Sequence, residues 1–171
     1  MTNKEASNKQ EKMVANYMDW RVVSGSGARP FRPGDIGSEY FLVECKTHTK
    51  PQVNIVFYQK HWNKIAIEAR SVNRYPMLVV DNGTQKSEYT WIVVPKGIIT
   101  NDHVHRMINL TNTSNSGNTI TFKHEDAKSL YKEQYIDEAI NYFEDRFGED
   151  ERVAIMPLSE FKKFYEEQFE C

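Results

Sequence analysis

The pattern of apolar and polar positions predicts that the chain begins with a helix and continues as short strands. Apolar residues recur at helical spacing over residues 4–19, which predicts an amphipathic helix. β-Type runs follow at residues 20–24 and 40–46, with Asp35 and Ile36 leading into the second of them. A turn signal between the two runs predicts a tight hairpin centred near Ser38.

The second half of the pattern predicts further helices and strands. A helix is expected over residues 53–72, strands over 77–80 and 90–94, a polar surface loop over 109–118, an amphipathic helix over 132–147, a strand over 153–156 and a last helix capped by Ser159. The order α-β-β-β-α-β-β, followed by more helix, predicts an α/β fold in which helices flank a mixed central sheet.

Composition narrows the class of protein. The 171 residues suit a single domain, and an apolar content of 39% is enough for a sizeable core. No apolar run approaches the length that spans a bilayer, and the polar N-terminus lacks a signal segment, so we expect a cytoplasmic protein with no membrane contact. Cys45 and Cys171 have no metal-type spacing, which argues against structural zinc.

The distribution of charge is more informative than its sum. The net charge of −2 is unusual for a nucleic-acid-binding protein, but residues 21–74 carry nine basic and four acidic side chains. Residues 124–171 carry six basic and fourteen acidic side chains. The basic segment is therefore a candidate for contact with phosphate, and the acidic one would face away from DNA. The alternative is that both are solvated surfaces.

Candidate chemistry lies at the end of the strand over residues 40–46. Side chains of a strand alternate between faces, so Phe41, Val43 and Cys45 share one face. Glu44 and Lys46 share the other, which places a carboxylate and an ammonium group side by side. Such a pair is costly to bury unless it has a purpose. A lone E-x-K in a strand more often reflects solvent-facing charges or a cross-strand ion pair.

Asp35 adds a second carboxylate, eight intervening residues before Glu44 across the predicted hairpin. Two converging carboxylates repel each other, and a divalent cation relieves the repulsion. Their oxygen ligands suit Mg²⁺, for which Mn²⁺ may substitute, rather than zinc. Such an ion lowers the pKa of a bound water and stabilises charge on a phosphoryl oxygen. With Lys46 and the basic surroundings, the pattern predicts phosphodiester hydrolysis.

The segments G-S-G-A-R, P-G-D and F-L-V-E-C-K-T resemble the PD-(D/E)xK nuclease superfamily, and within it small, phage-type Holliday junction resolvase-like enzymes. The resemblance covers about residues 5–95 and is strongest over 24–47. It implies a restriction-endonuclease-like αβββαβ core, followed by an acidic C-terminal α/β extension over about 119–171. It also implies a homodimer that acts on branched DNA, in the host-cell cytoplasm if a phage encodes the chain.

The resemblance assigns roles to particular residues. Asp35 and Glu44 would bind the metal together with the carbonyl of Cys45, and Lys46 would be catalytic. A glutamate of the first helix, Glu11 with Glu5 as the alternative, would complete the site. The residue before the aspartate is Gly34 instead of the family's proline, and the interval between Asp35 and Glu44 is short for such sites. Further candidates are Gln59 for catalysis, and Ser24, Ser26, Arg29, Arg32, His48, Lys60 and Lys64 for DNA binding.

The sequence is also compatible with other functions. The same chemistry would suit a restriction-type or repair nuclease that cuts duplex DNA. A non-catalytic DNA-binding protein on the same fold need not keep Asp35, Glu44 and Lys46 together. A small-molecule hydrolase would need a nucleophile elbow, P-loop or dinucleotide motif, which the sequence lacks. His103 and His105 form an H-x-H pair, but no ββα pattern typical of an HNH nuclease surrounds it.

Overall fold

The computed structural model describes residues 1–23, 34–99, 119–132 and 153–170. The described helices are α1 (Asn3–Met18), α2 (Gln59–Ser71), α3 (His124–Lys132) and α4 (Leu158–Phe169). The described strands are β1 (Arg21–Val22), β2 (Ile36–Gly37), β3 (Phe41–Lys46), β4 (Asn54–Tyr58), β5 (Tyr75–Asp81), β6 (Thr90–Pro95), β7 (Thr119–Lys123) and β8 (Val153–Pro157). None of the described helices is both long enough and apolar enough to span a bilayer.

Six strands form a central mixed sheet in the order β1-β2-β3-β5-β6-β8. Strands β3 and β5 run parallel, joined through α2, whereas the other neighbouring pairs are antiparallel. Strands β4 and β7 pair separately as a two-stranded sheet. The predicted α/β class, with helices flanking a mixed sheet, is therefore confirmed.

Apolar residues form one core on each side of the central sheet. On one side, α1 and α4 cover the sheet through buried residues that include Val14, Ala15, Phe161 and Phe164. On the other side, α2 and the small sheet supply Trp62, Ile65 and Phe57, among others. Strand β3 lies between the two cores, so its alternate residues enter different environments.

The predicted helix over residues 53–72 is wrong in its first part, because β4 occupies Asn54–Tyr58 and α2 begins only at Gln59. Ile55 and Phe57 are buried, and Ile55 pairs with Phe122 of β7, which was not predicted. Strands β4 and β7, which are far apart in sequence, thus pair with each other. This long-range pairing outweighs the local helical pattern.

The start of the last helix also differs from the prediction. Helix α4 begins at Leu158 with Pro157 as its N-cap, so Ser159 lies within the first turn and does not cap it. Proline fits this place because its fixed φ suits the entry to a helix. The loop predicted over 109–118 and most of the helix predicted over 132–147 lie outside the described residues, whereas α3 is a helix that was not predicted.

Candidate active site

The hairpin between β2 and β3 determines where the candidate residues meet. Ile36 lies opposite Val43, and the Ser38 amide donates to the Phe41 carbonyl at 3.0 Å. The turn is therefore centred between Glu39 and Tyr40, later in the chain than the predicted centre near Ser38. Because the turn is centred there, Asp35 lies alongside the end of β3. The two strands therefore need no stagger, which a turn centred at Ser38 would have required.

Asp35 spans the two strands at this point. Its amide donates to the Val43 carbonyl at 2.7 Å, and its carboxylate Oδ2 accepts from the Cys45 amide at 2.8 Å. Burial, and next the negative charge of Glu44, raise the pKa of Asp35. Gly34, directly before it, has a φ of +77°, a left-handed conformation that favours glycine over other residues. The glycine thus allows the backbone turn that leads directly into Asp35.

Glu44 is almost fully buried, with only 2% of its surface exposed. Lys46 Nζ lies 2.7 Å from Oε1, and Lys64 Nζ lies 2.9 Å from Oε2. Burial alone would raise the pKa of Glu44, but the hydrogen bonds and charges of the two lysines outweigh it and lower that pKa. The side-by-side placement that strand alternation predicted for Glu44 and Lys46 is therefore present as an ion pair.

Glu11 of α1 feels the same group of carboxylates. Burial, followed by the charges of Asp35 and Glu44, raises the pKa of Glu11 to about 7. Glu5 instead closes a capping box at the start of α1, where its carboxylate accepts from the Thr2 amide at 2.6 Å. Of the two glutamates that the sequence offered, the structure brings Glu11 near Asp35 and Glu44.

Helix α2 contributes a residue other than Gln59. Gln59 is the first residue of α2, and Lys64, five positions later, is the α2 side chain that reaches Glu44. Lys60, predicted to contact phosphate, has its ammonium group 5.5 Å from the centre of the Tyr58 ring. His61 was not predicted, yet burial and then the positive charges of Lys46 and Lys60 lower its pKa to about 4.

Three polar contacts hold the end of β3 and the two residues after it, and none of them was predicted from the sequence. Gln10 is fully buried and donates from its side chain to the Lys46 carbonyl at 2.7 Å. The Thr47 hydroxyl donates to Asp81 at 2.6 Å, and Gln85 donates to the His48 carbonyl at 2.8 Å. Gln10 occupies a core position of α1, and a polar residue in an apolar stripe is a signal that could have identified it.

Of the remaining predicted residues, His48 and Cys45 lie in the described part of the chain and the others do not. His48 is exposed beyond the end of β3, whereas the thiol of Cys45 is buried, which raises its pKa well above the usual range. Ser24, Ser26, Arg29 and Arg32 lie outside the described residues, as do His103 and His105.

The donor set suits a hard divalent cation, because the carboxylates of Asp35, Glu44 and Glu11 supply only oxygen. In the part of the chain that the structure describes, however, no three side chains of metal-binding type are close enough together to hold an ion. Both oxygens of Glu44 are instead engaged by lysines. The residues therefore fit Mg²⁺ or Mn²⁺ in chemistry, with Glu44 paired to ammonium groups in this arrangement.

Comparison with known proteins adds no further assignment, since no protein-family model, no curated protein and no solved structure matches the chain.

Proposed function

We propose that the protein is a Mg²⁺-dependent DNA endonuclease of the PD-(D/E)xK type, for which Mn²⁺ may substitute. One observation carries the proposal: Asp35, Glu44 and Lys46 come together at the end of β3, where a half-buried and a buried carboxylate lie beside an ammonium group. An ion pair kept only for stability could be replaced by apolar residues at little or no cost.

Each residue has a role in this proposal. Asp35 and Glu44 would hold the cation, with the Cys45 carbonyl and Glu11 as further oxygen donors. A bound divalent ion supplies positive charge that lowers the pKa of a coordinated water and stabilises charge on the phosphoryl oxygen. Lys46 would orient the attacking water and neutralise charge on the phosphoryl group in the transition state. Gln10 would keep the backbone of Lys46 in place through its bond to the Lys46 carbonyl.

The order of elements supports a restriction-endonuclease-like core. Helix α1, the antiparallel strands β1 to β3, helix α2 and the parallel strand β5 give the order αβββαβ, with β4, which pairs with β7 outside the central sheet, inserted between β3 and α2. The proposed substrate is branched DNA, in particular a four-way junction, cut by a homodimer whose two sites match the two symmetric strands. The proposed location is the cytoplasm, that of the host cell if a phage encodes the chain.

The test is cleavage of labelled DNA in the presence of Mg²⁺. A four-way junction, a duplex and a single strand of matched sequence are incubated with the wild type, with Lys46→Ala and with Lys50→Ala. Lys50 is exposed and lies only four residues after Lys46, so it controls for the loss of one positive charge near DNA. We expect symmetric nicks in the junction, a rate about 10²- to 10³-fold lower for Lys46→Ala, and a maximal rate near that of the wild type for Lys50→Ala.

The other outcomes are equally specific. Cleavage that survives in Lys46→Ala would refute the proposed site. Equal cleavage of the duplex would favour a restriction-type or repair nuclease. Binding of the junction without cleavage of any substrate would favour a non-catalytic DNA-binding protein on this fold.

A further inference from the structure

We propose that Lys64 neutralises Glu44 only while the metal site is empty, and that it moves to Glu68 when a divalent cation takes its place. This inference rests on the proposed function, because it concerns how the same site accepts its metal. It assigns Lys64 a role in controlling metal affinity, where the sequence predicted a contact with phosphate.

Both carboxylate oxygens of Glu44 are engaged by lysines. Lys46 lies 2.7 Å from one oxygen and Lys64 lies 2.9 Å from the other, while the side chain of Glu44 is 2% exposed. A buried carboxylate without a counter-charge is costly, so the metal-free site needs both ammonium groups. A cation that binds Glu44 therefore competes with at least one of them for the negative charge of the carboxylate.

Of the two lysines, Lys64 is the one that can leave Glu44. Lys64 is 52% exposed and lies on α2, whereas Lys46 is 39% exposed and follows Glu44 on the same face of β3. Glu68 lies one turn after Lys64, with its Oε1 already 3.8 Å from the Lys64 ammonium nitrogen. Residues four apart on a helix are neighbours, so rotation of the Lys64 side chain suffices for the exchange.

Glu68, the proposed destination of Lys64, has one carboxylate oxygen without a hydrogen-bond donor among the described residues. This oxygen, Oε2, is buried. A buried oxygen of this kind is destabilised until it gains a donor. Transfer of Lys64 would supply that donor. The ion pair gained with Glu68 would then offset part of the stabilisation lost when Lys64 leaves Glu44.

The experiment measures binding of Mn²⁺ alone, without DNA, by isothermal titration calorimetry. Lys64→Met removes the competing ammonium group, and Lys60→Met on the same helix is the matched control for the loss of one positive charge near the site. We expect Lys64→Met to bind Mn²⁺ roughly three- to tenfold more tightly than Lys60→Met, as the loss of a partly exposed ion pair implies. Lys64→Gln should behave like Lys64→Met, which guards against a packing effect of methionine.

A second pair of variants tests the destination. Glu68→Gln should weaken Mn²⁺ binding about two- to threefold in the wild-type background, because Lys64 then keeps Glu44 as its only strong acceptor. In the Lys64→Met background the same substitution should have no effect, since the two residues act together. An equal effect of Glu68→Gln in both backgrounds would overturn the exchange.

Failure of this inference can be told apart from failure of the proposed function. If the wild type binds no Mn²⁺, or if Asp35→Asn binds as well as the wild type, the metal site itself is refuted and the exchange with it. If the wild type binds Mn²⁺ in an Asp35-dependent way but Lys64→Met matches Lys60→Met, only the exchange is refuted.

Discussion

The two faces of β3 place alternate residues of one short segment in opposite environments. On the first face, Phe41, Val43 and Cys45 enter an apolar core beneath α1 and α4. On the second face, Leu42 is packed beneath α2, but Glu44 meets Lys64 of the same helix instead of an apolar residue. The part of α2 that faces β3 is therefore apolar near Leu42 and basic near Glu44.

The difference indicates that the residues that stabilise the fold and the residues of the candidate site lie on opposite faces of β3. The first face is apolar along its whole length, so its burial stabilises the sheet. At the end of the second face, the buried residue is a carboxylate, Glu44, instead of an apolar side chain. Its charge must be balanced by lysines. We therefore expect substitutions on the first face to change the free energy of unfolding, and those at the end of the second to change activity and metal binding.

The largest expected effect comes from Phe41→Ala on the apolar face. Phe41 is fully buried, and its ring contacts those of Trp20, Phe161 and Phe169. The cavity should cost about 3–5 kcal/mol of unfolding free energy, measured by urea denaturation, while kcat per folded molecule stays near that of the wild type. If the alanine variant does not fold, Phe41→Leu should show a smaller loss. A fall in kcat without a loss of stability would contradict the expectation that the first face contributes to stability and not to activity.

An intermediate effect is expected at Gly34, where the chain enters the charged end. A Cβ at Gly34 would lie 2.7 Å from Cδ1 of Leu42, at a φ of +77°. Gly34→Ala should therefore cost about 1–3 kcal/mol of stability and lower kcat by shifting Asp35. Gly97→Ala is the control, because a Cβ there meets no atom within 4 Å. If both variants match the wild type, the conformation at Gly34 does not hold Asp35 in place.

The smallest effect concerns Glu11, on the helix that covers the apolar face. Its folded pKa of about 7 lies above the usual 4.5, so the folded protein keeps a proton that the unfolded chain releases. Stability should thus fall as the pH rises from about 4.5 to 7, because the unfolded state then binds fewer protons. Glu11→Gln lacks this loss, and should be more stable than the wild type by about 1 kcal/mol at pH 8, after allowance for solvent screening, but equally stable at pH 4.

Glu5→Gln provides the contrast, measured by thermal unfolding at the same two pH values. Hydrogen bonds from Thr2 lower the pKa of Glu5, so its replacement should not raise stability at pH 8. A Glu11→Gln variant that gains nothing at pH 8 would show that Glu11 lies outside the carboxylate group.

Some features were predictable from the sequence because they depend on local geometry. The period of two in residues 41–46 separates Phe41, Val43 and Cys45 from Glu44 and Lys46 in any sheet, and the helical spacing before Asp19 gives α1. The turn signal at Gly37 and Ser38 predicted a hairpin, although its centre lies later in the chain, between Glu39 and Tyr40. In contrast, β4 and β7 depend on each other across more than sixty residues of chain, so no local pattern could show that they pair.

The sequence by itself thus determined which residues share a face and which chemical groups the end of β3 presents. Only the tertiary structure decided how these groups meet. The centre of the hairpin brings Asp35 beside Glu44, and packing of α1 brings Glu11 near both. Packing of α2 against the sheet makes Lys64 a partner of Glu44, where the sequence had suggested Gln59. These contacts join segments whose relative positions result from burial of two separate cores, and burial depends on the whole fold rather than on neighbouring residues.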